Sequence, residues 1–421
     1  MTDRRSNILP YVDWLTISLY AFLVIVGWLN IYSAVYNPAH AGIFYTSQRY
    51  GKQFIWVITA FVMAFMIMLS DASFFSVFAY AFYGIIFLSL IAVIFVGKNI
   101  SGSHSWFRIG SVGIQPAELG IFAINLGLAK YLGSEDIKMH QASVRLKAVA
   151  LLIVPMLIII LQNETGVAIT YTAFIFVLYR EGLSGNILLI GLLVGVLFIL
   201  ALVSSKMVLS GILTGIAVIA FVFFTRRKTK DLLRIGGVLL LGIGILWGTN
   251  YAFKKLEPHQ RKRIEVFLHQ NVNKSKEGYN LNQAEIAIGS GGLFGKGYLK
   301  GTQTKFHFVP EQATDFIFCT LCEEWGFVGA SFVILVFLAL MVRIVFLAER
   351  QRSAFSRIYG YGVASILFIH IAINIGMTLG LTPVIGIPLP FISYGGSSLW
   401  AFTLLLFIFL RLDANRLQVL K

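Results

Sequence analysis

The chain has 421 residues, of which 57% are hydrophobic and 13% charged, and its mean hydropathy is +0.80. Soluble domains carry about a quarter charged residues, so that class is excluded, and the absence of short alternating strands excludes a β-barrel. The expected fold class is an all-α polytopic membrane protein, and the formal net charge of +15 follows a membrane topology, which argues against nucleic acid as a partner.

Twelve apolar segments are expected to span, at about 12–35, 53–70, 75–97, 116–132, 147–162, 165–180, 185–204, 207–225, 232–252, 314–346, 357–380 and 391–411. Many of them exceed the roughly 18 apolar residues that suggest a membrane helix. The first follows a basic start without a clear small-residue cleavage site, so it is expected to stay in the membrane. An even number puts both termini on one side. The short segments on the other side hold only Arg49, Lys52, Lys98, Arg108 and Lys206. Positive residues collect on the cytoplasmic side, so both termini are expected there. The hydrophilic stretch 253–313 is then one large extracytoplasmic loop, which crosses largely regardless of its charge. No internal repeat is visible, and one membrane domain is expected over 1–421.

The polar residues that interrupt this pattern come in five stretches. WFRIGSVGIQPAELG at 106–120 offers Trp106 as an interface anchor. After Gln115, Pro116 suits the first position of a helix, which places Glu118 in the first turn. QNETG at 162–166 carries Glu164 in a polar break, tolerated at membrane depth only where it lines a cavity or is buried in protein. The long loop opens on KKLEPHQRKRIEVF, with Arg261 and Arg263, and closes on AIGSGGLFGKGYLKG, with Lys296. The basic half suits phosphate or simply faces anionic headgroups; GSGG at 289–292 could form a backbone nest for an anion.

FVPEQATDFIF at 308–318 contains Glu311 and puts Asp315 after Thr314, a suitable N-cap. Asp315 then reads either as a capping acid or as a general base or holder of a divalent cation. Glu323 and Glu324 follow about two turns on. Cys319 and Cys322 form a C-x-x-C with no second pair to complete a zinc site, and read as two small residues on one helix face. In GIPLPFISYGGSS at 386–398, Pro388 and Pro390 forbid regular helix. Gly395 and Gly396 let backbone approach closely, and Ser393, Ser397 and Ser398 offer hydroxyls or a helix cap. Glu118, Glu164, Asp315, Glu323 and Glu324 all fall near the outer face, which points to an outward-facing polar cavity.

Together these stretches resemble the SEDS family of polytopic peptidoglycan glycosyltransferases, the group of RodA, FtsW and SpoVE, and most of all its RodA-like branch. The resemblance implies a bundle of about 10–12 transmembrane helices in the bacterial plasma membrane. It also implies polymerisation of lipid II into glycan strands at the outer leaflet, for cell-wall elongation and cell shape, with inversion at the anomeric carbon. Asp315 matches the family's essential aspartate, as base or metal-bound helper. Glu118, Gln115, Trp106, Glu164, Glu311, Glu323, Glu324 and the three serines would then line the substrate cavity. Arg261, Arg263, Lys296 or a divalent cation (Mg or Mn) would ease departure of the pyrophosphate. The implied partners are lipid II, membrane lipids and a class B penicillin-binding protein that supplies transpeptidation. The chain departs from the family pattern where Ile121 replaces a usual lysine and where Glu164 replaces a usual aspartate. Ten spans are usual, so an extra helical hairpin is expected within about 185–252. A flippase for lipid II is the competing expectation; it predicts pseudo-symmetric halves and acids near the midplane.

Overall fold

The computed structural model describes residues 9–36, 42–100, 103–109, 112–134, 139, 141–224, 229–256, 258–268, 276–306 and 308–417. Several basic residues behind the orientation argument, namely Arg4, Arg5, Lys138, Arg226, Arg227, Lys228 and Lys421, lie outside them.

Helix α1 (Trp14–Ala34) starts where Asp13 accepts hydrogen bonds from the Thr16 N–H at 3.1 Å and the Thr16 hydroxyl at 2.5 Å. There follow α2 (Arg49–Leu69), the short α3 (Ala72–Val77), α4 (Ala79–Val96), α5 (Pro116–Leu132), α6 (Ala142–Leu161), α7 (Thr165–Thr170) and α8 (Phe174–Arg180). Next come α9 (Gly185–Val203), α10 (Lys206–Phe224), α11 (Thr229–Lys255), α12 (Pro258–Phe267), α13 (Lys276–Ser290) and α14 (Thr302–Lys305). The chain closes with α15 (Ile317–Glu349), α16 (Ala354–Thr378) and α17 (Gly396–Ala414). Ten of these are long and apolar enough to cross a membrane. The other two predicted spans are α5, of 17 residues, and the segment of α7 and α8, which is broken after Thr170. The polytopic helical fold is as the sequence expects.

Between α4 and α5 the chain forms an antiparallel sheet, β1 (Lys98–Ile100), β2 (Ser103–Ile109) and β3 (Val112–Ile114). Phe107 pairs with Ile114 and Ile109 with Val112. The apolar and polar pattern of the sequence predicts no strand here. Trp106, Phe107, Ile109, Val112 and Ile114 are aromatic or β-branched, residue types that suit a pleated surface.

The chain divides into two units, Met1–Leu183 with Tyr279–Lys421, and Ser184–Gly278. The second holds α9 to α12 and a small core of Ala201, Leu209 and Leu246. The stretch of about 185–252 that the resemblance marks as surplus lies in it. In the first unit α17 is the enclosed element, with 89% of its apolar window buried. Tyr20 of α1 anchors there, its hydroxyl 2.9 Å from the Thr403 hydroxyl and its ring edge-on to Phe391 and Phe407. Gly27 lets α1 touch the loop before α17: a Cβ there would lie 2.6 Å from the Ile392 Cα.

One end of the first unit is closed by ion pairs at helix termini. Arg343 reaches Asp13 at 2.5 Å, Arg350 reaches Asp413 at 2.5 Å, and Arg357 reaches Glu181 at 3.3 Å. Burial pushes the Asp13 carboxyl up, but hydrogen bonds from Arg343 and Thr16 outweigh it and hold the group below its ordinary value. The opposite end gathers the starts of α2, α5, α15 and α17, the break between α6 and α7, and the predicted acids.

Candidate active site

Asp315 does not sit in the first turn of a helix capped by Thr314, as the sequence suggests. Helix α15 begins two residues later, at Ile317. Residues 311–316 form a tight turn instead, in which the Glu311 carbonyl accepts the Thr314 N–H at 3.1 Å and the Phe316 N–H at 3.2 Å. Glu311 takes the left-handed conformation, with φ of 55°. The Thr314 hydroxyl turns back to the Glu311 carbonyl at 3.2 Å and carboxylate at 3.1 Å, so it cannot cap α15.

This turn is strapped to the proline-rich loop. Asn374 of α16 donates from one amide nitrogen to the Asp315 carbonyl at 2.9 Å and the Ile387 carbonyl at 2.6 Å. Ser393 donates to the Thr314 carbonyl at 2.7 Å and accepts from the Leu389 N–H at 2.8 Å. The Tyr394 N–H meets the Ala313 carbonyl at 2.8 Å. Asp315, half-buried, is thus held by backbone contacts on both sides.

The remaining acids divide into two groups. Glu118 opens α5 behind Pro116, as the sequence expects, and its carboxylate accepts from the Ser397 hydroxyl at 2.5 Å. Glu164 accepts from Ser105 at 2.7 Å, and Ser105 also accepts from the Gln115 amide at 3.4 Å. Glu164 and Asp315 lie close enough to Glu118 for their charges to act on it. Ser398 lines a small cavity with Glu118. Trp106, half-buried on β2, packs over Gly113.

Glu323 and Glu324 form the second group, and both are buried. Glu323 accepts from Lys296 at 2.7 Å and from the backbone N–H groups of Thr302, Gln303 and Thr304 at 2.7, 2.9 and 3.0 Å. It thereby satisfies the orphan donors that open α14. Glu324 accepts from the Ser33 hydroxyl and, at 3.0 Å, from the Leu299 N–H. Gly326, with φ of 65°, breaks α15 just beyond them. This pair stitches the glycine-rich loop to α15. Tyr298 on that loop gives its hydroxyl to the Leu29 carbonyl at 3.1 Å, and burial, then the Glu324 charge, push the phenol up to about 12. Gly291 of the GSGG run packs on the Cys322 carbonyl with no room for a Cβ.

Arg261 and Arg263 lie on α12, in the other unit; Arg261 donates to the Lys254 carbonyl at 2.7 Å. Sequence reasoning missed Arg49. It opens α2, stands 3.9 Å from the Glu311 carboxylate and lies 5.9 Å over the Tyr394 ring, with its side chain about half exposed. The signal was its rarity, as one of few basic residues predicted on the outer side. Among the described residues no three His, Cys, Asp or Glu side chains come together to hold a metal ion.

The FtsW/RodA/SpoVE family, described as cell cycle proteins, matches residues 13–212 and 208–418. The chain belongs to this family. It is 31% identical over 432 residues to the peptidoglycan glycosyltransferase RodA of Treponema pallidum, covering 96% of this chain and 98% of that one. It is 32% identical over 318 residues to the peptidoglycan glycosyltransferase MrdB of Escherichia coli, covering 75% and 72%. A structure reported as showing structural coordination of polymerization and crosslinking by a peptidoglycan synthase complex superposes with a TM-score of 0.71 at 25% identity, covering 97% of this chain and 99% of that one. The rod shape determining protein RodA of Thermus thermophilus shares the fold, with a TM-score of 0.61 at 24% identity, covering 96% and 97%. In this FtsW/RodA/SpoVE member, Glu118, Glu164, the Asp315 turn and the SYGGSS loop lie at one end of the first unit.

Proposed function

We propose that this protein is a peptidoglycan glycosyltransferase that polymerises lipid II into glycan strands at the outer leaflet, for cell-wall elongation and cell shape. The observation that carries the reading is the placement of Asp315. It stands in a turn pinned by Asn374 and Ser393, at the same end as Glu118 and Glu164, in a chain similar over nearly its whole length to a peptidoglycan glycosyltransferase.

The donor is a glycan on undecaprenyl pyrophosphate and the acceptor is the 4-hydroxyl of a second lipid-linked disaccharide. Asp315 takes the acceptor's proton when that hydroxyl comes within about 3 Å of it. The new bond to the anomeric carbon forms as the bond to pyrophosphate breaks, so the centre inverts. Arg49, anchored by Glu311 and Tyr394, supplies a guanidinium fork for the leaving pyrophosphate. Lys296 is already engaged by Glu323. Where Mg2+ or Mn2+ takes part, Asp315 and the substrate's own phosphates would hold it, since Mg2+ often binds through one or two carboxylates plus substrate phosphates. The ion would neutralise leaving-group charge. Lipid tails enter sideways from the bilayer, and Ser397, Ser398, Gln115 and Trp106 border the sugar and peptide.

The protein resides in the bacterial plasma membrane with both termini cytoplasmic, so the ion-paired end faces in and 253–313 faces out. A class B penicillin-binding protein is its transpeptidase partner. The likeness to a synthase complex concerned with polymerization and crosslinking supports that pairing. The test is strand formation from lipid II by the purified protein with its transpeptidase. Polymer from wild type and none from folded Asp315→Ala is expected. Equal polymer from both removes Asp315 from the chemistry. No polymer from folded wild type shifts the reading to a lipid II flippase, scored next in vesicles.

A further inference from the structure

Glu118 carries a charge problem that the site as described leaves unsolved. Among the described residues its hydrogen-bond partner is the Ser397 hydroxyl, and no ammonium or guanidinium pairs with it. A carboxylate at membrane depth requires a cation or a proton. One turn on, Ile121 offers only hydrocarbon. Behind the carboxyl lies a small cavity of about 10 Å3, lined by Glu118, Ile121, Thr170, His370, Ser398 and Phe402 among others. That is about the room one water needs. His370, 3% exposed, is the other ionisable group in the wall.

The orientation of His370 is fixed. Its Nδ1 lies 2.8 Å from the Ile366 carbonyl. A carbonyl only accepts, so Nδ1 carries the hydrogen and Nε2 keeps a lone pair. Phe402 packs edge-to-face on the ring at 4.9 Å. The ring's remaining polar atom is the Nε2 acceptor.

The other charged groups on the helices around His370 are engaged elsewhere. On α5, Lys130 reaches the Ser76 hydroxyl at 3.5 Å. On α15, Glu323 and Glu324 hold the glycine-rich loop, Arg343 holds Asp13, and Glu349 holds Arg180. On α17, Arg411 reaches the Ser70 carbonyl at 2.5 Å and Asp413 holds Arg350. Near α7, Glu164 holds Ser105 and Tyr171 donates to the Ala117 carbonyl. On α16 itself, Arg357 holds Glu181, Tyr359 donates to the Leu405 carbonyl and Tyr361 to Glu349. Asp315 meets α16 through its backbone, at Asn374, one turn beyond His370.

We infer that Glu118 and His370 share one proton through a water in this cavity, which makes His370 the positioning residue that sets the charge state of Glu118. The Glu118 carboxyl gives its proton to the water as the water gives one of its own to Nε2. The result is a carboxylate, steadied by the Ser397 hydroxyl, beside an imidazolium. The pair is net neutral before and after, so Glu118 can ionise next to an anionic substrate without adding net charge to the bundle.

The first test is independent of catalysis. In full-length protein with isotope-labelled histidine, the His370 ring signal is identified by its loss in His370→Gln. Its titration midpoint is expected to fall by at least one pH unit in Glu118→Gln. An unmoved midpoint overturns the inference. The second test rests on the proposed glycosyltransfer. In His370→Gln the acidic limb of the polymerisation profile moves to higher pH, because the carboxyl has no neighbour to take its proton. A purely packing role would lower the rate at every pH and leave the limb in place, which also overturns the inference. Ile121→Lys supplies an ammonium one turn from Glu118, so adding it to His370→Gln is expected to return the limb to its wild-type position; failure to do so counts against proton sharing. If wild type makes no polymer, the glycosyltransferase reading falls while the ring titration still decides the pair.

Discussion

Asn374 spends both amide hydrogens on backbone carbonyls from two different loops. Each such bond contributes about 1 kcal/mol net, so Asn374→Ala is expected to cost about 2 kcal/mol of stability. It should also cut polymerisation more than tenfold through loss of Asp315 placement, read as a lowered thermal midpoint and a lowered initial rate. Arg49→Lys keeps the charge but loses the fork; polymerisation should fall while the thermal midpoint moves little, because the pair with Glu311 is exposed. What could be read from sequence at this scale followed from local rules. Pro116 and Glu118 obey helix-start preferences within three residues. Thr314 obeys the same preferences and still fails as a cap, because Glu311 captures its hydroxyl and Ser393, 79 residues away, fixes its carbonyl. Arg49 and Asn374 draw their meaning from partners distant in sequence, which no local pattern announces.

The helices were legible as elements because a membrane span has no alternative way to satisfy its backbone. The three-stranded sheet was not, since its strands are shorter than the apolar runs around it. The start of α1 carries a pH dependence of its own. The Asp13 carboxyl is held below its ordinary value of 3.8 in the folded protein, so its contribution is complete above that value and is lost as pH falls through the lower folded one. The thermal midpoint of Asp13→Asn should lie below wild type near neutrality, and the two should converge as pH drops below about 4. At the other end, Glu323→Gln removes the charge that holds Lys296 and the start of α14. Breaking a buried pair costs about 3–5 kcal/mol, and faster proteolysis at the glycine-rich loop should report it.

At the scale of the whole molecule, the two ends of the first unit differ in chemistry. One is closed by arginine and carboxylate pairs, while the other opens on acids and hydroxyls. Orientation is checked by labelling: Cys319 and Cys322 are free and buried, so they should stay silent once replaced by alanine or left in place. Arg352→Cys, between α15 and α16, should react only with a reagent admitted to the cytoplasm, and Leu381→Cys, beyond α16, only with one added outside. The reverse pattern would invert the topology and remove the outer-leaflet reading.

The enclosure of α17 bears on how the molecule is made. It follows the other spans of the first unit in sequence, yet it packs against α2, α5 and α16 of that unit and brings Ser397 and the end of the strapping loop with it. The polar end of that unit, where Ser397 meets Glu118, is therefore complete only once α17 has been threaded among helices made before it.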